Sequence, residues 1–194
     1  MRKEIQYIVG IDEAGRGPLA GPVSVGAVVV PVGFPKAFFK HIRNSKALSL
    51  AKREEWFSKL KKQKILYSVS FSSSVTIDKK GIAKAVRLCI ARLLKRLKVN
   101  PKRSLVLLDG SLKAPPSFSF QKTIIGGDEK EPIISLASII AKVLRDRRMV
   151  RYAKLYPNYS FEIHKGYGTS LHIKRIKKHG PSLLHRRSFL KNII

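Results

Sequence analysis

Two short apolar runs constrain the fold of this chain more than any other feature of its sequence. Residues 5–11 form the first run, and residues 23–30, which are rich in valine, form the second. Branched side chains at this density favour strands over helices. Glycines and prolines punctuate the segment between the two runs. We therefore predict that these runs are the first two strands of a sheet.

Strand and helix patterns alternate along the rest of the chain. The remaining strand patterns are at residues 65–71, 104–110 and 118–125, and the helical patterns are at residues 50–64, 76–98, 133–155 and 169–179. Apolar residues of segment 76–98 recur at the spacing of an amphipathic helix, and Cys89 lies on its apolar face as a predicted core residue. Pro132 suits the first turn of the helix that follows it. The pattern predicts a mixed sheet with helices packed on it.

The charge of the chain indicates a polyanionic partner. Forty lysines and arginines against 12 acids give a formal net charge of +28 over 194 residues, so nucleic acid is the first partner to consider. The longest uncharged apolar run, residues 23–35, is shorter than the roughly 20 residues that span a bilayer. A single cysteine excludes a disulfide framework, and no secretory cleavage pattern is visible. We expect a cytoplasmic protein without membrane contact, built as a single domain over residues 1–194 with a basic C-terminal extension from about 156.

Because acids are scarce, their positions are informative. Asp12 and Glu13 directly follow the first apolar run, and Asp109 directly follows another at residues 105–108. Acids are poor strand formers and costly to bury, so these placements call for a cation. Mg²⁺ and Mn²⁺ prefer carboxylate oxygens, and two such ions about 3.5–4 Å apart can hydrolyse a phosphodiester. The acids therefore predict a metal-dependent site.

Other acids have competing interpretations. Asp128 precedes the helix that is predicted to begin near Pro132, and at this point helix capping and catalysis remain alternative roles for it. Asp146 follows Lys142 by four residues in a predicted helix, which favours a structural ion pair. We assign no chemistry to the remaining glutamates of predicted helical faces and helix starts, Glu54, Glu55, Glu129 and Glu131.

The segment GIDEAGRGPLAGPV, residues 10–23, is far more specific than a generic glycine-rich loop. With it the chain resembles ribonuclease HII, the type 2 ribonuclease H family. Further family segments follow in the family's order at residues 44–49, 108–110, 127–128, 137–146 and 164–169, with Asn44 where the family usually has aspartate. The resemblance implies an α/β ribonuclease H-like fold, a five-stranded mixed sheet flanked by helices, with a C-terminal helical segment that completes the substrate groove.

The resemblance also implies which residues act. The four catalytic carboxylates of the family correspond to Asp12, Glu13, Asp109 and Asp128, and the first three are the implied direct ligands of Mg²⁺ or Mn²⁺. The family's glycine-arginine-glycine element corresponds to Gly15, Arg16 and Gly17, which would read the 2′-hydroxyl that distinguishes RNA from DNA. Tyr167 corresponds to the tyrosine that packs against the sugar on the DNA side, and Lys46 is an expected phosphate contact.

The implied activity is metal-dependent hydrolysis of the RNA strand of RNA/DNA hybrids and of the bond 5′ to a ribonucleotide in duplex DNA. The products would carry 3′-hydroxyl and 5′-phosphate ends. The sister family, ribonuclease HIII, typically has an extra N-terminal domain and a lysine between the two glycines, so Arg16 favours HII. One alternative is a non-catalytic basic nucleic-acid-binding protein, which would not need acids at strand ends. Another is a nuclease of DNA junctions, which would not need the element at residues 15–17.

The C-terminal region is basic throughout, since residues 163–194 contain no acid. We expect its basic side chains to supply phosphate contacts or solubility: Lys165, Lys174, Arg175, Lys177, Lys178, Arg186, Arg187 and Lys191. Residues 188–194 are largely apolar and are a candidate contact for a sliding clamp, although they carry no clear clamp-binding motif. His164 is interpreted as a packing residue of its loop and not as a base. We expect a monomer.

Overall fold

The computed structural model describes residues 4–40, 42, 48–191 and 193. Its strands are β1 (Tyr7–Ala14), β2 (Val23–Pro31), β3 (Leu66–Ser72), β4 (Ser104–Asp109) and β5 (Gln121–Ile124). Its helices are α1 (Leu50–Lys62), α2 (Ser74–Lys80), α3 (Ile82–Arg96), α4 (Gly127–Lys130), α5 (Pro132–Leu155), α6 (Phe161–His164) and α7 (Ser170–His179). The strands form one sheet in the order β3-β2-β1-β4-β5. β1 pairs antiparallel with β2, β2 antiparallel with β3, and β4 lies parallel to both β1 and β5.

The sheet is covered by helices on both faces, which explains why its central strands are so apolar. Alternate residues of β2, from Val23 to Val29, pack with α3 in one core cluster. Val28 and Val30 point the other way and pack with α1 and α5 in a second cluster. The predicted five-stranded mixed sheet flanked by helices is confirmed.

Helix α5 packs so closely on the sheet that two strand positions, Gly10 and Gly26, have no room for a side chain. A Cβ on Gly10 of β1 would lie 2.4 Å from the carbonyl oxygen of Ile133, and one on Gly26 of β2 would lie 2.3 Å from that of Ala137. The hydroxyl of Ser24 donates to the carbonyl oxygen of Ala141 at 3.0 Å. These contacts fix α5 across β1, which carries Asp12 and Glu13, and the adjacent strand β2.

Three boundaries differ from the sequence prediction. The strand predicted over residues 118–125 covers only Gln121–Ile124, because its pairing with β4 begins at Gln121. The helix predicted over residues 76–98 is two helices, α2 and α3, because Gly81 between them has a φ of +77° that is incompatible with a continuous helix. The first strand was predicted to end at residue 11, but β1 continues to Ala14 because its pairing with β2 extends to Ser24. Cys89 is fully buried in the core, as predicted. Among the described residues no helix is long and apolar enough to cross a membrane.

Candidate active site

Three carboxylates meet at one edge of the sheet, where two parallel strands end. β1 carries Asp12 and Glu13 near its end, and β4 ends at Asp109. The pairing of these strands runs up to Ile11 with Leu108, so Asp12 and Asp109 are the next residues on adjacent strands. Adjacent strands lie about 4.8 Å apart. The structure thus brings together the acids that the sequence analysis singled out at strand ends.

Burial and the repulsion of neighbouring carboxylates disfavour negative charge on Asp12 and Glu13. Asp12 is 2% exposed. Burial and the charges of Glu13 and Asp109 raise the pKa of Asp12 well above its usual value, against a hydrogen bond with Ser138. Burial also raises the pKa of Glu13, although its ion pair with Arg16, 3.2 Å between Oε1 and Nη1, acts in the opposite direction. A cation among the three carboxylates would favour their charged forms and lower both pKa values.

The carboxylate oxygens suit such a cation. Oε2 of Glu13 is buried and has no hydrogen-bond partner among the described residues, whereas buried polar atoms normally have one. Asp12 Oδ1 accepts the N–H of Glu13 at 2.7 Å, and Asp109 Oδ1 accepts the N–H of Gly127 at 2.6 Å, which orients both groups. In the described part of the chain, no three acidic, histidine or cysteine side chains already surround one point as a ready-made ion site. The all-oxygen donor set fits a hard divalent ion, which would have to draw these side chains together.

Asp128 lies directly after the residue that binds Asp109. It is fully buried in α4, and its carbonyl oxygen accepts a hydrogen bond from the hydroxyl of Ser135 in α5. The N-cap residue of α5 is Glu131, so Asp128 does not cap the long helix. Because the N–H of Gly127 donates to Asp109, the backbone of Asp128 starts next to Asp109 at the same edge of the sheet.

The loop of residues 15–22 leaves the end of β1 beside the carboxylates, and it is termed the substrate loop because the family resemblance implies that role for residues 15–17. Gly15 is buried with a φ of +84°, and a Cβ on it would lie 2.1 Å from Nε of Arg145. Arg16 and Gly17 are exposed, and the guanidinium of Arg16 turns back to Glu13. The predicted glycine-arginine-glycine element is therefore an exposed turn that contacts the carboxylate site.

A buried arginine from the C-terminal segment holds this turn by its carbonyl groups. The fully buried guanidinium of Arg186 donates to the carbonyl oxygens of Gly15 and Arg16 at 2.7 Å each, and to that of Gly21 at 3.0 Å. Burial, followed by the charge of Arg145, lowers the pKa of Arg186 to about 9, which leaves it protonated at neutral pH. The prediction that Arg186 contacts phosphate or aids solubility is wrong, because its donors are used inside the protein.

Arg145 holds the other end of the substrate loop from α5. It is also fully buried, and it donates to the carbonyl oxygens of Pro22 at 2.9 Å and Ala20 at 3.3 Å. Sequence reasoning missed this role. The available signal was helical spacing, since Arg145 lies four residues from both Ala141 and Met149, which are buried on the same face.

Tyr167 is 39% exposed, with Nζ of Lys142 5.3 Å from its ring centroid. It follows Gly166, whose carbonyl oxygen accepts the N–H of Leu19 in the substrate loop at 2.8 Å. The carbonyl oxygen of Tyr167 accepts the Nδ1–H of His172 at 2.9 Å, which leaves Nε2 of His172 to accept from His185 at 3.0 Å. Nδ1 of His185 accepts the N–H of Ser182 at 2.9 Å. These partners assign neutral tautomers to both histidines, and the pair fixes the turn that carries Tyr167.

His164 completes this buried histidine cluster. Its ring stacks on that of His172 with centroids 4.2 Å apart. Its Nε2–H donates to the carbonyl oxygen of Tyr159 at 2.8 Å, while Nδ1 accepts the N–H of Gly166 at 3.1 Å. Burial lowers the pKa of His164, and it lowers the pKa of His172 and His185 to about 4 each. The interpretation of His164 as a packing residue agrees with these contacts.

Three predictions about other residues remain. Lys46 and Asn44 lie outside the described residues. Asp146 forms the predicted ion pair with Lys142, 2.9 Å between Oδ1 and Nζ. Within residues 188–194, the candidate contact for a sliding clamp, Leu190 is buried and packs in an apolar cluster of the protein itself.

Comparisons with known proteins agree with this architecture. Residues 9–192 match the family model described as Ribonuclease HII. Ribonuclease HII of Caldicellulosiruptor bescii is 46% identical over 189 residues, covering 97% of this chain and 89% of the relative. Ribonuclease HII of Endomicrobium trichonymphae is 44% identical over 182 residues, covering 94% of this chain and 84% of the relative.

Solved structures match over nearly the whole chain. Ribonuclease H2 from Pyrococcus horikoshii OT3 superposes with a TM-score of 0.77 at 25% identity, covering 96% of each chain. RNase HII in its PCNA complex from Archaeoglobus fulgidus gives 0.73 at 25% identity, covering 93% of this chain and 94% of that chain. Bst-RNase HIII in complex with Mn²⁺ shares the fold, with a TM-score of 0.75 at 16% identity, covering 96% of this chain and 68% of that one.

Proposed function

Since this chain belongs to the ribonuclease HII family of hydrolytic endonucleases, we propose that it cuts the phosphodiester 5′ to a ribonucleotide in duplex DNA. The RNA strand of RNA/DNA hybrids is a second substrate of the same site. Hydrolysis leaves 3′-hydroxyl and 5′-phosphate ends. The observation that carries this proposal is the ion pair of Arg16 with Glu13, since it puts the ribose-reading turn in contact with the carboxylates.

In this proposal the carboxylates hold the metal and the substrate loop selects the sugar. Asp12, Glu13 and Asp109 are the ligands of Mg²⁺ or Mn²⁺, and the buried Oε2 of Glu13 is an oxygen ready for that bond. A bound divalent ion supplies an activated water and stabilises the leaving oxygen. Asp128, which is buried in α4 beside Asp109, positions the neighbouring carboxylates at the same edge of the sheet.

Recognition of the ribonucleotide falls to the exposed turn and to the tyrosine. The backbone of Gly15 and Gly17 approaches the 2′-hydroxyl, with Arg16 between them, because Arg186 and Arg145 hold the carbonyl groups of the loop inward. Tyr167, fixed through its own carbonyl oxygen, packs against the next sugar, where a 2′-hydroxyl would fit poorly. Lys46 contacts a phosphate. These roles together would favour cleavage at an RNA-to-DNA junction over cleavage within a continuous RNA strand.

The deciding experiment uses a labelled DNA duplex with one ribonucleotide beside an all-DNA duplex, with Mg²⁺, Mn²⁺ or EDTA. We expect a metal-dependent cut 5′ to the ribonucleotide only, and its loss in Asp109→Asn. Glu129→Gln is the matched control, since Glu129 is an exposed acid next to Asp128 in α4. Binding of the duplex without a cut under either metal would favour the non-catalytic alternative, and equal cutting of all-DNA would contradict the ribose-reading role.

A further inference from the structure

A positively lined pocket lies on the same edge of the sheet as the carboxylates. It has a volume of about 480 Å³ and is bounded by the end of β3, by α2 and α3, and by the C-terminal third of α5. Its basic side chains are Lys80, Arg92 and Arg148, and none of its lining residues is acidic. Ser73 and Thr76 add hydroxyl groups to its wall. This combination of cations and hydroxyl donors suits an anion with several oxygens.

Arg148 is the residue in this pocket that is placed to bind such an anion. Its guanidinium lies over the ring of Phe71, with Cζ 3.9 Å from the ring centroid. It forms no hydrogen bond or ion pair with any residue that the structure describes. Its neighbour Arg147, in contrast, is ion-paired with Glu54. A guanidinium held by its face keeps its edge free for two parallel hydrogen bonds to a phosphate.

A second arginine shapes the pocket without being fully free. Nη2 of Arg92 donates to the carbonyl oxygen of Phe71 and to Oγ of Ser72, at 2.9 Å each. These bonds hold the end of β3 in place and keep a positive charge at the pocket wall. Lys80 is exposed at the rim. The pocket therefore combines the hydrogen-bonded guanidinium of Arg92, the guanidinium of Arg148 with its edge available, and the exposed ammonium group of Lys80.

The pocket is continuous with the proposed substrate-binding surface. Gly21 and Pro22, the last residues of the substrate loop, form part of its wall. Across the sheet, Ala14 of β1 pairs with Ser24, and Val23 of β2 pairs with Ser72 of β3. Two strand spacings, about 10 Å, therefore separate the pocket from the carboxylate strand. That distance is about three base-pair steps of 3.4 Å, well within one bound duplex.

We propose that this pocket binds a backbone phosphate of the nucleic-acid duplex a few nucleotides from the cleavage position, with Arg148 as its principal ligand. This inference rests on the proposed function, since it assumes that a duplex lies along the carboxylate edge. It assigns a specific task to one basic residue in a chain whose charge otherwise indicates only general attraction to polyanions.

The test measures binding of a fluorescent duplex with one ribonucleotide by anisotropy, in EDTA, across about 0.05 to 0.2 M salt. Arg148→Ala should weaken binding roughly tenfold and reduce the slope of log Kd against log salt by about 0.9, the value for one lost phosphate contact. Arg148→Lys should restore the slope but only part of the affinity. Arg103→Ala is the matched control, because Arg103 precedes β4 at the opposite edge of the sheet and is exposed. Melting curves of all variants should match that of the wild type within a few degrees.

Shortening the duplex one base pair at a time identifies the ligand. The affinity gap between wild type and Arg148→Ala should vanish once the duplex no longer reaches the pocket. A gap that persists in the shortest duplex that binds would overturn the proposal, as would an Arg148→Ala variant indistinguishable from Arg103→Ala. A third measurement compares the thermal stability of wild type and Arg148→Ala with and without inorganic phosphate. The proposal would also be overturned if phosphate stabilised only the wild type while both proteins bound the duplex with equal affinity.

Failure of this inference is distinguishable from failure of the proposed function. If the wild type cuts the ribonucleotide duplex and Arg148→Ala binds it normally, only the pocket assignment is wrong. If the wild type cuts no duplex under either metal, the proposed function is wrong whatever the binding data show.

Discussion

At the scale of single residues, the two buried arginines are the least expected parts of the site. Arg186 donates three hydrogen bonds to main-chain oxygens, and Arg145 donates two. Main-chain carbonyl groups are thus the hydrogen-bond partners of both guanidinium groups while their charges stay buried. The arrangement makes the shape of an exposed turn depend on two residues that never touch the solvent.

Arg186→Ala should therefore destabilise the protein and disorder the turn. It leaves the carbonyl oxygens of Gly15, Arg16 and Gly21 without their donor, at a cost of about 2–4 kcal/mol in the free energy of unfolding. Urea unfolding of the variant measures this loss, and Arg187→Ala is the control, since Arg187 is the exposed next residue. Equal stability of the two variants would show that the carbonyl contacts contribute nothing.

Sequence could predict the acids of the site but not the groups that support them. Asp12 and Asp109 each follow an apolar run, and that local pattern is visible without a structure. Arg186 binds a residue 171 positions away. In a chain with 40 basic residues, an arginine destined for burial has no composition that distinguishes it from one on the surface.

At the scale of elements, the substrate loop is the piece whose backbone is most constrained. Gly15 needs its positive φ and lies where a Cβ would collide with Arg145, whereas nothing lies within 4 Å of a Cβ on Gly17. The two glycines of the same turn are thus required for different reasons. The first is required by the fold, and the second, in our proposal, by close approach of the substrate.

Substitution by alanine separates these reasons. Gly15→Ala should lower the free energy of unfolding by about 2 kcal/mol or more, because the strain of a left-handed residue adds to the collision. Gly17→Ala should unfold like the wild type yet cut the ribonucleotide duplex more slowly. Thermal melts and initial cleavage rates on the same preparations measure both effects. Cleavage by Gly17→Ala at the wild-type rate would show that Gly17 takes no part in substrate recognition.

Most strands and helices could be predicted because the spacing of apolar residues is a local property of the sequence. All five strands and the long helix α5 were located from pattern alone. The division of α2 from α3 was missed because the apolar spacing continues across it, and only the backbone of Gly81 reveals the break. The order of the strands depends on contacts between distant segments, and it was not predicted, since the family resemblance implied only a five-stranded mixed sheet.

At the scale of the whole molecule, the C-terminal segment is joined to the sheet through the histidine cluster and Arg186. His172 and His185 are fully or almost fully buried and neutral. Their pKa of about 4 lies below the ordinary value of 6.5, so the unfolded chain binds protons more readily than the folded one between these two values. Their contribution to stability is complete above about pH 6.5 and is lost as the pH falls towards 4.

The protein should consequently lose stability on acidification over this range, by up to about 3 kcal/mol for each of the two histidines. The raised pKa values of Asp12 and Glu13 act in the opposite direction. The measurement is therefore a comparison of urea unfolding at pH 7 and pH 4.5, in EDTA, between wild type and His172→Gln. The variant should be less stable at pH 7 but lose less on acidification, whereas His179→Gln, at an exposed position, should follow the wild type. Parallel profiles of wild type and His172→Gln would contradict the assignment.

The long span between Gly15 and Arg186 also has a consequence for protein synthesis. A ribosome adding about 5–20 residues per second needs roughly ten to thirty seconds to make the 171 residues that separate them. During that time Gly15 has been made but Arg186, which donates to its carbonyl oxygen, has not. The turn at residues 15–17 can therefore be held by Arg186 only after almost the whole described chain has been synthesised.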